Sequence, residues 1–280
     1  MRKKDMPKKT TAKPSRARAK AAPPTKPGRN AKAPAARMTL AEAMAALEKA
    51  GSEQTRKTYR RHGAEDPLFG VSFATLFTLV KRIGVDHDLA GALWNTGNFD
   101  ARNLAMKISD PTRITSSELD RWARDTRVRM CGGYIAMLAA ESPHAAAKVK
   151  VWLASKSEPQ RAAGWGVLGQ MAMLDESTPD AWFLDHLAAI ENLIHTVPNA
   201  ERAPMNMALI MIGSRNAALR KAAVTAAKQI GKVDVDYGDT SCKTPDAAQY
   251  IEKAWAHSTS KGFGSPAAHE RSRQPARIRC

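Results

Sequence analysis

The sequence feature that most limits the fold is an apolar helix, beginning near Ser157, that is interrupted three times by glycine. Ser157 is a helix-capping residue, and Pro159 is tolerated in a first turn. Gly164, Gly166 and Gly169 each weaken the helix by about 1 kcal/mol relative to alanine. Its apolar residues also lie on more than one side. We therefore expect other helices to surround this one on several faces and to approach its backbone closely.

The rest of the chain reads as amphipathic helices of roughly ten to sixteen residues, joined by short turns. Thr39 with Glu42, and Thr115 with Glu118, have the spacing of capping boxes at helix starts. The one strand-like alternation, over residues 233–237, is too short to build a sheet. The sequence therefore predicts an all-α protein.

Short helices that are amphipathic on two faces and tightly joined stack as antiparallel pairs. No crisp sequence repeat is present, so the pattern favours a degenerate HEAT-like or armadillo-type solenoid over residues 38–258. A compact, non-repetitive helical bundle is the alternative. Residues 1–37 and 259–280 are polar and basic, and we expect both to be disordered tails.

The positive charge of the chain is concentrated at its N-terminus. The formal net charge is +17, and residues 1–37 hold 13 of the 44 basic residues but only one of the 27 acidic residues. A cationic arm of this kind attracts polyanions without reading their sequence. Nucleic acid is therefore the expected partner, while a solvated tail that only aids solubility is the alternative.

Several function classes find no support in the sequence. The three cysteines are too widely spaced for a disulfide framework or a zinc pattern, and they fit a reducing, cytoplasmic compartment. No apolar run approaches the ~18 residues that a membrane span needs. No glycine-rich phosphate loop, HExxH motif or nucleophile elbow is present. We therefore expect no cofactor, no metal and no membrane contact, in a cytoplasmic protein associated with the nucleoid.

Four cations cluster at helical spacing shortly after residue 52. Arg56, Lys57, Arg60 and Arg61 surround Tyr59. Opposite charges are not evident among them, so we expect these side chains to be unpaired within their helix. The cluster is interpreted as a face that contacts phosphates, with an ordinary solvated face as the alternative.

The arginine-rich segment around residue 122 is the best candidate for catalysis. Trp122 and Asp125 are three residues apart, one helical turn, so both can face the same groove. Arg121 and Arg124 flank them, and an aspartate among arginines stays ionised. The alternative is that Trp122 belongs to the core and Asp125 is a surface ion-pair partner.

Taken together, these segments resemble the DNA alkylation repair family, the AlkD-like alkylpurine glycosylases built from HEAT-like helix pairs. The resemblance covers roughly residues 50–255. The motifs that carry it, in order along the chain, are residues 69–83, Ala92 to Trp94, residues 100–108 and, most specifically, residues 152–163 around Arg161.

The resemblance implies a solenoid whose basic concave face grips duplex DNA, with Arg161 in the place of the family's DNA-contacting arginine. We also expect Arg124 to contact DNA and the protein to be a monomer. The resemblance also implies excision of purines alkylated at N3 or N7, whose positive charge weakens the glycosidic bond. A fixed carboxylate, here Asp125, would stabilise the oxocarbenium-like sugar. The face of Trp122 would hold the cationic nucleotide.

The sequence departs from the family pattern at two places. The family has a W-D-x-x-D-like run, whereas here Trp122-Ala-Arg-Asp125 is followed by Thr126, Arg127 and Val128 where a second acid would fall. A second clamping tryptophan is replaced by Met207 or one of its neighbours. Three hypotheses therefore remain open: an active N-glycosylase, a non-catalytic DNA-binding protein, and a protein-interaction scaffold.

Overall fold

The computed structural model describes residues 37–126 and 129–279, except for the side chains of residues 129–131. The predicted tail 1–37 therefore lies almost entirely outside the described residues. The described part contains fourteen α-helices and no strand, with one isolated antiparallel bridge between Gly51 and Val71. The helices are α1 Leu40–Ala50, α2 Glu53–Arg61, α3 Phe73–Ile83, α4 His87–Asn95, α5 Phe99–Ile108, α6 Ser116–Asp125, α7 Arg129–Glu141, α8 Ala145–Leu153, α9 Glu158–Leu174, α10 Asp180–Leu193, α11 Asn199–Gly213, α12 Ala217–Ile230, α13 Ala247–Ser260 and α14 Pro266–Arg271.

Local capping signals predicted several helix starts. Thr39 and Thr115 form complete capping boxes at the starts of α1 and α6, as the sequence predicted. Ser157 stands at the N-cap of α9, but its side chain makes no capping hydrogen bond. Pro179 occupies the N-cap position of α10, and the hydroxyl and the amide of the preceding Thr178 both donate to Asp175.

Helices that follow one another along the chain pack as pairs. Among the described residues, α4 contacts α5, α6 contacts α7, α8 contacts α9, α10 contacts α11 and α12 contacts α13. The second members of these pairs also contact each other in succession, from α5 through α7, α9 and α11 to α13. This is the stacked arrangement of helical repeats. The predicted all-α repeat architecture is therefore confirmed.

Helix α9 lies at the centre of the stack and contacts α6, α7, α8, α11 and α14. A Cβ atom at Gly164 would lie 3.0 Å from a side-chain atom of α8. At Gly166 it would lie 2.7 Å from a side chain of α7, and at Gly169 2.9 Å from a sulfur of α11. The three glycines therefore allow three different helices to pack closely against α9, as the sequence predicted.

The prediction of a disordered C-terminal tail was wrong. Residues 266–271 form α14, residues 276–278 form a 3-10 helix, and both belong to the same compact unit as the repeats. Arg277 is only 3% exposed. Its guanidinium donates to the carbonyl oxygens of Met106 (2.9 Å) and Lys107, and to the carboxylate of Glu141 (2.9 Å). The basic residues thus satisfy helix C-terminal carbonyls that would otherwise lack donors.

The same segment contacts two further helix ends. Arg271 donates to the carbonyl oxygen of Met173 near the end of α9, at 3.1 Å. The amide of Ala267 donates to the carbonyl oxygen of Ser214, just after α11, at 3.1 Å. We call residues 261–279 the clasp, because they join the C-terminal ends of α5, α7, α9 and α11.

Candidate nucleic-acid interface

The cations of α2 separate into two kinds. Arg56 donates to Glu53 in the first turn of the same helix, at 2.9 Å, and Arg60 pairs with Asp66 at 3.2 Å. The expectation that these arginines are unpaired was therefore wrong. Glu53 precedes Arg56 by three residues, so this ion pair follows from ordinary helix spacing. Asp66 comes from the turn that follows the helix.

Lys57 and Arg61 remain exposed, one turn apart on α2. Neither forms an ion pair with any residue that the structure describes. Between them, Tyr59 is buried and its hydroxyl donates to the carbonyl oxygen of Val71 at 2.6 Å, which fixes the helix on the core. The helix therefore holds these two charges in place at the surface.

Arg161 is an anchor between helices. Its Nε donates to the buried carboxylate of Glu201 in α11 at 2.8 Å, and its Nη1 donates to the carbonyl oxygens of Ser155 and Lys156 at 3.0 Å. The side chain is 23% exposed. Trp165 adds a hydrogen bond to the same carboxylate at 3.4 Å. Most of the guanidinium is thus used in hydrogen bonds within the protein. Contact of Arg161 with DNA stays a prediction.

Trp122 is fully buried, which places it in the core rather than in a groove. Its ring stacks on Trp94 with the centroids 4.3 Å apart and the planes 7° from parallel. Arg102 covers Trp94, 4.9 Å from the ring centroid. Trp122 lies on the apolar side of α6 together with Leu119 and Ala123. The expectation that Trp122 shares a groove with Asp125 is therefore not met.

Asp125 lies at the end of α6 with its side chain 41% exposed. Among the described residues it forms an ion pair with Arg102, with a distance of 3.9 Å between Nη2 and Oδ2. Arg124 is also exposed beside it. This is the surface ion-pair geometry, with a carboxylate that solvent can reach. Of the positions for a second acid, Thr126 is buried and Arg127 and Val128 lie outside the described residues.

Asp120, one turn before Arg124, is the acid that the sequence analysis missed. Its Oδ1 accepts hydrogen bonds from Lys148 Nζ and Trp152 Nε1, both at 2.6 Å. Burial opposes ionisation of Asp120, but these hydrogen bonds and the charges of Lys148 and Arg124 outweigh it and lower the pKa of the carboxyl below its ordinary value. The signal in the sequence was Lys148, one of two lysines in the otherwise apolar helix α8.

The network continues from Asp120 into the motif around Arg161. Gln160 donates to the carbonyl oxygen of Asp120 at 2.9 Å and accepts from the hydroxyl of Ser155 at 2.6 Å. That hydroxyl accepts in turn from the amide of Ser157 at 3.0 Å. Residues 152–163 therefore join α6, α8, α9 and α11.

Met207, expected where the family has a second clamping tryptophan, is 40% exposed on α11. In the part of the chain that the structure describes, no helix combines the length and the hydropathy that crossing a membrane requires.

Stacked helical pairs joined by a buried polar network define this chain as a HEAT-like helical-repeat protein. A solved structure covers 81% of this chain and 96% of its own, with a TM-score of 0.72 and 29% identity. It is described as belonging to a new family of proteins related to the HEAT-like repeat DNA glycosylases, with affinity for branched DNA structures. The model of the DNA alkylation repair enzyme family matches residues 43–251, and the chain belongs to that family.

Two curated relatives are similar over most of the chain. An uncharacterized protein of Listeria monocytogenes is 30% identical over 215 residues, which is 74% of this chain and 93% of the relative. A second, from Listeria innocua, is 29% identical over the same share of each chain.

Proposed function

We propose that this protein binds duplex DNA, including duplexes that meet at a branch, through sequence-independent phosphate contacts. The observation that carries the proposal is the exposed pair Lys57 and Arg61, which α2 holds without an acidic partner among the described residues. Cations at this spacing can reach successive phosphates of one strand. The affinity of the structural relative for branched DNA supports the same partner.

The other expected contacts extend this proposal. Arg124 is exposed, and the side chain of Arg161 is partly exposed. Arg56 and Arg60 contribute less, because acidic partners already neutralise them. The basic residues 1–37 would add attraction without specificity. A monomer that binds in this way would reside with the nucleoid.

Replacing Lys57 and Arg61 together by glutamine should weaken duplex binding at fixed salt. The two lost phosphate contacts should make the slope of log K against log salt shallower by about 1.8. The loss should be nearly the same for any base sequence, since phosphates carry none. Fluorescence anisotropy with a labelled duplex and a labelled four-way junction, over a series of salt concentrations, measures both quantities.

A double glutamine variant of Lys221 and Lys228 on α12 is the matched control. Both lysines are exposed, and the variant removes the same net charge from the opposite end of the repeats. Its salt slope should stay that of the wild type. An equal loss in the two variants would mean that binding follows net charge alone, and would remove α2 from the interface.

Excision of cationic alkylpurines is a second candidate, supported by the family and by the exposed carboxylate of Asp125. A purine alkylated at N3 or N7 leaves as a neutral base when its glycosidic bond breaks. The sugar then carries the positive charge until water attacks, and a nearby carboxylate lowers the energy of that state. Because Trp122 is buried, Asp125 would act without an aromatic contact from Trp122 to the nucleotide.

If Asp125 is catalytic, Asp125→Asn should lower release of 7-methylguanine or 3-methyladenine by about 10²–10³-fold. Duplex affinity should hold or rise, because one negative charge is removed near phosphates. Chromatography of the base released from alkylated DNA is the measurement, and Asp185→Asn, an exposed aspartate on α10, is the control. Wild-type protein that releases no base would refute the excision candidate while leaving the binding proposal intact.

A further inference from the structure

The clasp contacts parts of the chain that are remote in sequence. It contacts the C-terminal ends of α5, α7, α9 and α11, which are the second members of four different pairs. In a simple solenoid each repeat contacts only its neighbours, so stability is local and pairs can open one at a time. A segment that contacts four pairs at once can make these pairs open together instead of one at a time.

Arg277 is the point at which the clasp is fixed most firmly. Its Nη1 reaches two carbonyl oxygens at the end of α5, and its Nε and Nη2 reach Glu141 at the end of α7, at 3.2 and 2.9 Å. In return, the buried Lys107 donates from Nζ to the carbonyl oxygen of Arg277 at 3.1 Å. These groups are buried and satisfy one another, so the clasp cannot leave this position without exposing several of them at once.

The clasp is also held at its other end. Ala267 is fully buried, and Ser258 of α13 lies 3.4 Å from the ring of His269 in α14. Arg271 adds an ion pair to Glu176 at 2.9 Å. The clasp therefore bridges the last helical pair and the two pairs that hold α5 and α7.

We infer that the clasp locks the stack, coupling the opening of the pairs α4–α5 and α6–α7 to that of the C-terminal pairs and holding them in one relative orientation. Arg277 makes the contacts with α5 and α7 on which this coupling depends. The inference does not depend on DNA binding, so it stands or fails separately from the proposed function.

Amide hydrogen exchange, measured peptide by peptide, tests whether the clasp couples these helical pairs. In Arg277→Met, amides of α5 and α7 should exchange at least about tenfold faster than in the wild type, whereas those of α11 and α12 change by less than about twofold. Arg273→Met is the matched control, because Arg273 lies in the same segment with its side chain 54% exposed. That control should leave every helix unchanged.

Uniformly faster exchange in all helices would overturn the inference, since it would show a loss of general stability without a change in coupling. Unchanged exchange in α5 and α7 would overturn it as well. If Arg277→Met does not fold, Arg271→Met, which removes the contacts with Met173 and Glu176, serves in its place. It should free α14 and raise exchange in α5 and α7 together, and protection lost at α14 alone would refute the coupling.

Discussion

Asp120→Ala should lower the free energy of unfolding by about 3 kcal/mol, one of the two largest effects that we expect from a single substitution. Lys148 is 2% exposed and would be left buried without the carboxylate that pairs with it. Trp152 would lose the acceptor for its indole N–H at the same time. Urea unfolding, followed by circular dichroism, gives the change in free energy.

Two comparisons separate the ion pair from simple loss of packing. Adding Lys148→Met to Asp120→Ala should restore part of the lost stability, because the buried charge is then gone. Asp88→Ala, which breaks the exposed ion pair of Asp88 with Arg113, should have little effect. A double variant no more stable than Asp120→Ala would contradict the assigned role of Lys148.

The pKa of Asp120 also predicts a dependence of stability on pH. Because its pKa is lower in the folded protein, the carboxylate stabilises the fold fully above its unfolded pKa of about 3.9. That contribution is lost as the pH falls through the lower, folded value. The difference in stability between the wild type and Asp120→Ala should therefore shrink in acid and stay constant near neutrality.

Asp100→Asn should destabilise the protein by about 3 kcal/mol or more. The side chain of Asp100 is fully buried and accepts backbone N–H groups of Phe69, Gly70 and Val71 at 2.7, 3.0 and 2.8 Å. An amide has one acceptor oxygen, and its NH₂ group would face a donor. At least one buried N–H therefore loses its partner.

The same unfolding measurement tests this prediction, with Asp110→Asn as the control. Asp110 also accepts from a backbone amide, that of Thr112, but in an exposed turn where water can replace the lost bond. The midpoint for Asp110→Asn should lie close to that of the wild type. A loss below about 1 kcal/mol for Asp100→Asn would show that the 69–71 segment finds other acceptors.

The features of the fold that the sequence predicted correctly depend on local chemistry. Residues Thr39 and Thr115 cap α1 and α6 because their partners lie three residues away. The glycines of α9 predicted close neighbours because a missing side chain has one common use inside an apolar helix. In both cases the information lies within a few residues of the position concerned.

The features that were predicted wrongly depend on contacts distant in sequence. The basic clasp looks disordered by composition, yet Arg277 is buried because α5 offers carbonyl oxygens 170 residues earlier. Trp122 was placed in a groove because sequence spacing cannot show that Trp94 lies parallel to its ring. Asp120 was overlooked, since only the fold brings Lys148 and Trp152 to its carboxylate.

The position of the clasp in the chain affects how the protein is made. Lys107 leaves the ribosome 170 residues before Arg277, an interval of roughly ten to thirty seconds at ordinary rates of synthesis. During that interval the carbonyl oxygens at the end of α5 and the carboxylate of Glu141 lack the donor that satisfies them in the finished protein. Until residues 276–278 are made, water must therefore supply the donors for these groups.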